Sequence, residues 1–409
     1  MKADVLNVPF VALNTVDAGT VGCAMMTGIA IGIFRDLEDA AQHMVEKTKT
    51  YEPRKEQHEK YMAHFARYEK LYDPTVGINA WCEEEEERIM NPYIGHRSQV
   101  CGVEEHRLVG AKGDGMRLYE AYNGKGIELT VSPDRGGDIT RLRFRGIQMN
   151  YMSPCGYVAP AYYDAIGDHW LQSFTAGFLT TCGLQGVGTP CCDEGEEIPL
   201  HGSIANQPCA QSYVTENEEE ICLHLVTYDE TIFGRKLALR REICLSKTEN
   251  TFTISDEIEN TGDQEIPFEI LYHMNMGYPL LDEDSELVIP SVEVRPRNEH
   301  AKDDIEHWMQ MEKPTAGYQE RCYYHRFADA RGMATIYQPK LKTRLSISFD
   351  ANELDGFVEW KMMGVRDYVL GLECGNCYPD GRDVMRNTGM LKFIKPGEKK
   401  RYQVKVTLE

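Results

Sequence analysis

Three polar residues stand where proton-transfer chemistry is possible. His201 lies in Pro199-Leu-His-Gly202, at a turn after an acidic loop. His273 lies in Glu269-Ile-Leu-Tyr-His-Met-Asn-Met-Gly277, at the end of an apolar strand pattern. Glu373 follows Tyr368-Val-Leu-Gly-Leu in the same setting. A carboxylate directly after an apolar run is expected to be partly buried, and burial raises its pKa toward the range of a general base. Histidine titrates near neutrality and can take either role. Taken singly, each has a plainer explanation: a core histidine bonded to a carbonyl, or a glutamate closing a strand.

Other motifs point less far. Cys374-Gly-Asn-Cys377 has the spacing of a redox couple or half a metal site. The redox version needs a helix after the first thiol, whereas Tyr378-Pro-Asp-Gly381 is turn chemistry. A zinc site needs a second pair, and adjacent Cys191-Cys192 is a poor one. The spacing is read as coincidence, and no metal is expected. Gly110-Ala-Lys-Gly-Asp-Gly115 lacks the ending of a phosphate loop, and no nucleophile elbow or His-Glu-x-x-His helix occurs.

These residues need elements to hold them. From about Ile89 onward the apolar period is two: Leu129 and Val131, Leu142 and Phe144, Ile221, Leu223 and Leu225, and Leu345, Ile347 and Phe349. Turn signals such as Pro133-Asp-Arg-Gly-Gly137 and Lys395-Pro-Gly397 separate the runs. Many short alternating strands with such turns predict a large antiparallel sandwich. Residues 1–75 read as helical instead. Val21–Phe34 is an apolar run expected to be a buried helix. Asp36 is an expected N-cap, with Glu38 and Asp39 in the first turn. Tyr61, Phe65, Tyr68 and Tyr72 recur at helical spacing. Residues 76–88 form an acidic linker, with Glu83–Glu87 read as a solvated face.

Composition bounds the function classes. The 409 residues carry 65 acidic against 44 basic side chains, a formal charge of −21. Such a chain is a poor partner for nucleic acid or an anionic membrane. An apolar share of 42% is that of a globular protein. The start of the chain lacks a signal-peptide pattern. The 13 cysteines, odd in number and without a compact framework, are therefore expected to be mostly reduced thiols in a cytoplasmic protein.

Taken together and in order, the motifs resemble the galactose mutarotase-like (aldose 1-epimerase) superfamily, and a bacterial branch of it more closely. The resemblance covers residues 89–409. It rests on Ile94-Gly-His-Arg-Ser-Gln-Val100, Val131-Ser-Pro-Asp-Arg-Gly-Gly-Asp-Ile139, Phe178-Leu-Thr-Thr-Cys-Gly-Leu184 with Leu200-His-Gly202, Tyr272-His-Met-Asn275 and Leu370-Gly-Leu-Glu373. It implies a mainly β fold, a β-supersandwich, and interconversion of the α and β anomers of a free sugar without metal or cofactor. By motif, Glu373 would be the general base on the C1 hydroxyl and His273 the acid toward the ring oxygen. His201 would hold the sugar and share the developing charge. Sugar contacts are expected from Asn275, Trp170, Asp138 and either Arg135 or Arg382. Arg135 and Asp138 read equally well as turn residues, and Trp170 as core packing.

The N-terminal segment has its own resemblance. Val16-Asp-Ala-Gly-Thr-Val-Gly-Cys-Ala-Met-Met-Thr-Gly28, Ile31-Gly-Ile-Phe34 and Thr50-Tyr-Glu-Pro53 are similar to the C-terminal tail of FGGY carbohydrate kinases such as xylulokinase. The catalytic and nucleotide-binding parts are missing, so no kinase activity is expected. A homo-oligomer is compatible with this reading. The competing classes are a non-catalytic carbohydrate-binding protein and another sugar isomerase or epimerase on the same fold.

Overall fold

The computed structural model describes residues 2–13, 18–65 and 92–409. Two compact units emerge, Met1–Ile94 and Gly95–Glu409. In the first, helices span Lys2–Leu6, Ala18–Ala30, Leu37–Met44 and residues 55–65. Asp36 caps the third as expected, its Oδ1 accepting from the Asp39 backbone N–H at 2.9 Å.

Two expectations for this unit change. Phe10–Leu13 and Lys47–Tyr51 pair as an antiparallel ladder inside a stretch read as wholly helical. Strands of four and five residues are too short to establish a period of their own. The apolar run is helical only as far as Ala30, and Met26 within the helix and Ile31 and Ile33 beyond it are exposed. The short elements described around it do not cover all its faces. Tyr68, Tyr72 and the five glutamates lie outside the described residues.

The second unit is built on antiparallel sheets of five, eight and seven strands. Alternation makes the eight-stranded sheet one-sided. Along Glu220–Glu230, Ile221, Leu223 and Leu225 are buried while Glu220 and His224 reach partway to solvent. The inward rows of this sheet, including Leu239, Ile254, Ile347 and Val404, share one core with Ile270, Met274, Leu370 and Leu372 of the seven-stranded sheet. Each such side chain contributes about 1.5–3 kcal/mol on burial.

The seven-stranded sheet positions the chemistry. Its strands run in the order Glu293–Pro296, Arg321–Arg326, Gly356–Met363, Tyr368–Gly375, Ile266–Met276 and Lys392–Ile394, with Leu179–Leu184 also pairing Ile266–Met276. The central strands are covered on both faces, so Ile266–Met276 is buried from Phe268 to its end. Near-continuous apolar sequence is what such a strand requires.

Among the described residues ten cysteines are free, including Cys374 and Cys377, both buried. One pair departs from the expected thiols: Cys222 and Cys244 form a disulfide. They face each other across neighbouring strands because the hairpin register sets them opposite.

Candidate active site

His273 and Glu373 are a hundred residues apart yet stand directly opposite in the ladder between Ile266–Met276 and Tyr368–Gly375. Register places both side chains on one face of the seven-stranded sheet. The His273 Nε2 lies 3.2 Å from Glu373 Oε1, without the alignment of a hydrogen bond. Glu373 Oε1 and His273 Nδ1 have no hydrogen-bond partner. Buried polar atoms are normally paired, so unpaired ones aimed at a cavity mark a place for a ligand or water.

That cavity is a cleft of about 270 Å³. His201 enters from a turn whose backbone is pinned: its N–H donates to Gly188 O, and its carbonyl accepts from Gly183 N–H. The residue takes φ of +56°. Its ring centre lies 5.7 Å from that of His273 and 4.9 Å from that of Trp170. The Trp170 ring stacks on Phe174 at 4.6 Å, and Trp360 meets His273 edge-on at 5.2 Å. Three aromatic side chains thus wall a histidine–carboxylate pair.

Burial shapes the electrostatics. Desolvation pushes the Glu373 carboxyl well above the usual carboxylate range, with nearby Glu320 adding to the effect. Desolvation lowers His273 to about 3 and also holds His201 far down, with the Arg297 charge nearby adding to the effect on His201. Removing a charge from water favours the neutral form of each group. Burial thus works against charge on either member of the pair, favouring a protonated carboxyl beside an uncharged imidazole. The two members of the pair can exchange the roles of donor and acceptor.

Of the residues named from sequence, His201, His273, Glu373 and Trp170 line this cleft. The others do not. Arg135 is buried in its turn, its Nη1 donating to Val158 O at 2.9 Å; desolvation lowers it to about 10. The Asp138 carboxylate accepts from the Thr181 backbone and hydroxyl and pairs with Arg241 at 3.1 Å. Arg382 is fastened to Asp193, Glu196 and the Gln185 carbonyl. Asn275 turns back, its Nδ2 donating to His273 O at 3.0 Å. Arg135, Asp138 and Arg382 are thus engaged by protein partners, while Asn275 Oδ1 is left without a hydrogen-bond partner.

The lining residues not read from sequence include Arg297, Glu320 and Trp360. The Arg297 guanidinium is held by Asp380, Thr189 and the Pro379 carbonyl. Glu320 accepts from Trp360 Nε1 at 2.7 Å. Trp360 alternates with buried neighbours in Phe357-Val-Glu-Trp-Lys-Met-Met363, and that alternation was the available signal. A wider groove of about 1100 Å³ crosses the eight-stranded sheet. Its charged groups largely satisfy one another, as with Glu257 between Lys399 and Arg401. The smaller cleft carries the orphaned groups and is the stronger site.

Comparison with known proteins bears on the family and the fold. A family model described as a domain of unknown function, DUF4432, matches residues 113–408. Among solved structures, a protein from Klebsiella pneumoniae subsp. pneumoniae MGH 78578, provisionally assigned as an aldose 1-epimerase, is 25% identical with a TM-score of 0.71. That match covers 76% of this chain and 86% of the other. A galactose mutarotase-like protein from Clostridium acetobutylicum is 14% identical with a TM-score of 0.55, covering 76% of this chain and 99% of the other. A galactose 1-epimerase from Lactobacillus acidophilus NCFM is 13% identical with a TM-score of 0.51 over the same shares. These two likenesses concern the fold, which is the expected galactose mutarotase-like β-sandwich. A xylulose kinase of Staphylococcus epidermidis is 25% identical over 80 residues, 20% of this chain. The chain spans only 16% of that kinase's length. Among the described residues no helix is long and apolar enough to cross a membrane.

Proposed function

The chain belongs to the DUF4432 family on the galactose mutarotase-like fold, and from that premise we propose that it is a sugar mutarotase of the aldose 1-epimerase type. The observation that carries the reading is the His273–Glu373 pair, 3.2 Å apart on the wall of a cleft with room for one sugar ring.

Anomer exchange needs one proton removed and one delivered across the same hemiacetal. As the C1–O5 bond breaks, the O1–H electrons form the C1 carbonyl and O5 takes up a proton. Rotation about C1–C2 and the reverse transfers close the other anomer. The pair's proton passes first from Glu373 to His273; the Glu373 carboxylate then takes the O1 proton as His273 delivers its own to O5, and the reverse transfers restore both groups. His201 and Trp170 hold the ring, and the aromatic walls exclude water. Positioned acid–base groups of this kind are worth about 10²–10⁴-fold.

The test is saturation-transfer NMR on a panel of free aldoses, backed by polarimetry on freshly dissolved α-anomers. Accelerated exchange of at least one sugar, lost in Glu373→Gln with affinity retained, is the expected result. Sugar binding without any accelerated exchange would make the protein a carbohydrate binder instead.

A further inference from the structure

The outer face of the eight-stranded sheet carries a cluster that proton transfer does not use. Alternation along Glu220–Glu230 turns Glu220, Cys222 and His224 away from the face of the buried Ile221, Leu223 and Leu225. Across the ladder Cys244 stands opposite Cys222, and Glu242 opposite His224. A ligand atom of Glu220 and the two sulfurs all lie within 4.8 Å of one another.

We propose that, once the Cys222–Cys244 bond is reduced, Cys222, Cys244 and Glu220 form a site for a thiophilic divalent cation of the zinc class. Two thiolates select against magnesium and calcium, which take hard oxygen ligands. Zinc accepts two thiolates and a carboxylate, with solvent in a fourth position. The scaffold is rigid, because each cysteine sits inside an eleven-residue strand paired on both sides. The sulfurs are shielded while Glu220 reaches solvent, which gives the cation an entry path. His224 stays outside the ligand set: its Nδ1 faces Glu242 at 3.0 Å and its Nε2 meets the Thr215 hydroxyl at 2.7 Å. Glu242 Oε1 lies 3.3 Å from Cys244 Sγ.

The disulfide and the metal are mutually exclusive. Two molecules of a small thiol deliver two electrons and two protons to the bond, giving two cysteine thiols and one small-molecule disulfide. Cation binding then displaces the two thiol protons. A small-molecule disulfide runs the exchange backward: it oxidises the two cysteines, takes two protons from solvent as it is reduced to two thiols, and frees the cation.

The test uses the full chain, reduced with a phosphine, freed of reductant under nitrogen and titrated with Co²⁺ as a spectroscopic stand-in for Zn²⁺. One equivalent should produce thiolate-to-cobalt charge-transfer absorption, and Zn²⁺ should bleach it. Glutathione disulfide should abolish it. Cys222→Ser and Cys244→Ser should each lose the band, and a Cys191→Ser/Cys192→Ser double variant should keep it. Glu220→Gln should keep the band and need more Co²⁺ to reach it. As a readout independent of the serine variants, Zn²⁺ should raise the melting temperature of the reduced parent chain. A reduced parent chain without the band, or Cys222→Ser with the full band, would overturn the site. Neither outcome bears on the mutarotase reading.

Discussion

The seven-stranded sheet carries two histidine–glutamate pairs, one on each face. His273 and Glu373 face the cleft. His325 and Glu359 face the core, their Nε2 and Oε2 3.4 Å apart. The parity of the Gly356–Met363 strand separates them: Val358 and Trp360 line the cleft, so Glu359 between them points the other way. Desolvation acts on both pairs alike. It lowers His325 to about 3, as it does His273, and it raises Glu359 far above its ordinary value, as it does Glu373. Both pairs include carboxylate oxygens without hydrogen-bond partners. What differs is access. His325 is enclosed by Ser291, Trp308 and Phe357, whereas His273 opens on a cavity. A perturbed pKa marks burial, and only burial beside a cavity marks chemistry.

The sharpest way to break this comparison is to treat both pairs identically. Glu373→Gln should slow anomer exchange by about 10²–10⁴-fold, while Glu359→Gln leaves it near the parent rate. Equal losses in the two variants, followed by saturation-transfer NMR on an active sugar, would sink the contrast. His201→Asn should slow exchange and also raise the sugar concentration needed for half-saturation. Across pH the parent rate should be bell-shaped, because a second proton disables the acceptor and loss of the shared proton disables the donor.

A third buried ionic group, built for structure alone, calibrates the other two. Arg241 pairs with Asp138 and Asp256, all three almost fully buried. Arg241→Met leaves two buried carboxylates without their cation and should cost about 3–5 kcal/mol in urea unfolding. Sugar affinity per folded molecule should not change.

Glu269, on the same strand as His273, tests the electrostatics without touching the cleft. Burial raises it to about 7, against the Val187 N–H that donates to it at 2.8 Å. Its folded pKa lies above its unfolded one, so the unfolded chain binds fewer protons between the two values. Stability then falls as pH rises from about 4.5 to 7, by about 3 kcal/mol in total. Glu269→Gln should flatten that slope in melts recorded across this window; an unchanged slope would count against it. The smallest effect belongs to the exposed pairs. Glu257→Gln, which loses Lys399 and Arg401 on the surface, should shift stability by under about 1 kcal/mol.

The sequence made the two-residue period plain, and with it the sandwich and the strand ends that carry His273 and Glu373. It could not separate Arg135, Asp138 and Arg382 from true sugar ligands. A charged residue in a Gly-rich turn looks the same whether it meets a sugar or a carbonyl, and Arg382 found its carboxylates nearly two hundred residues upstream. Arg297, Glu320 and Trp360 escaped because their convergence depends on the order of strands far apart in the chain. The Cys222–Cys244 pair needed less: the hairpin centred near Phe233 sets the register, so a correctly placed turn would have aligned the sulfurs.

His201 offers a last consequence, in the currency of mutational tolerance. Its backbone sits at φ of +56°, where most side chains crowd the chain but Asn, Asp and Gly are accommodated. Saturation mutagenesis at this codon should therefore sort twice. Selection for soluble expression alone should enrich Gly, Asn and Asp and deplete Val and Ile, before any sugar is offered. Selection for sugar turnover should then return His from among the survivors, so the fold narrows the choices before the chemistry makes one.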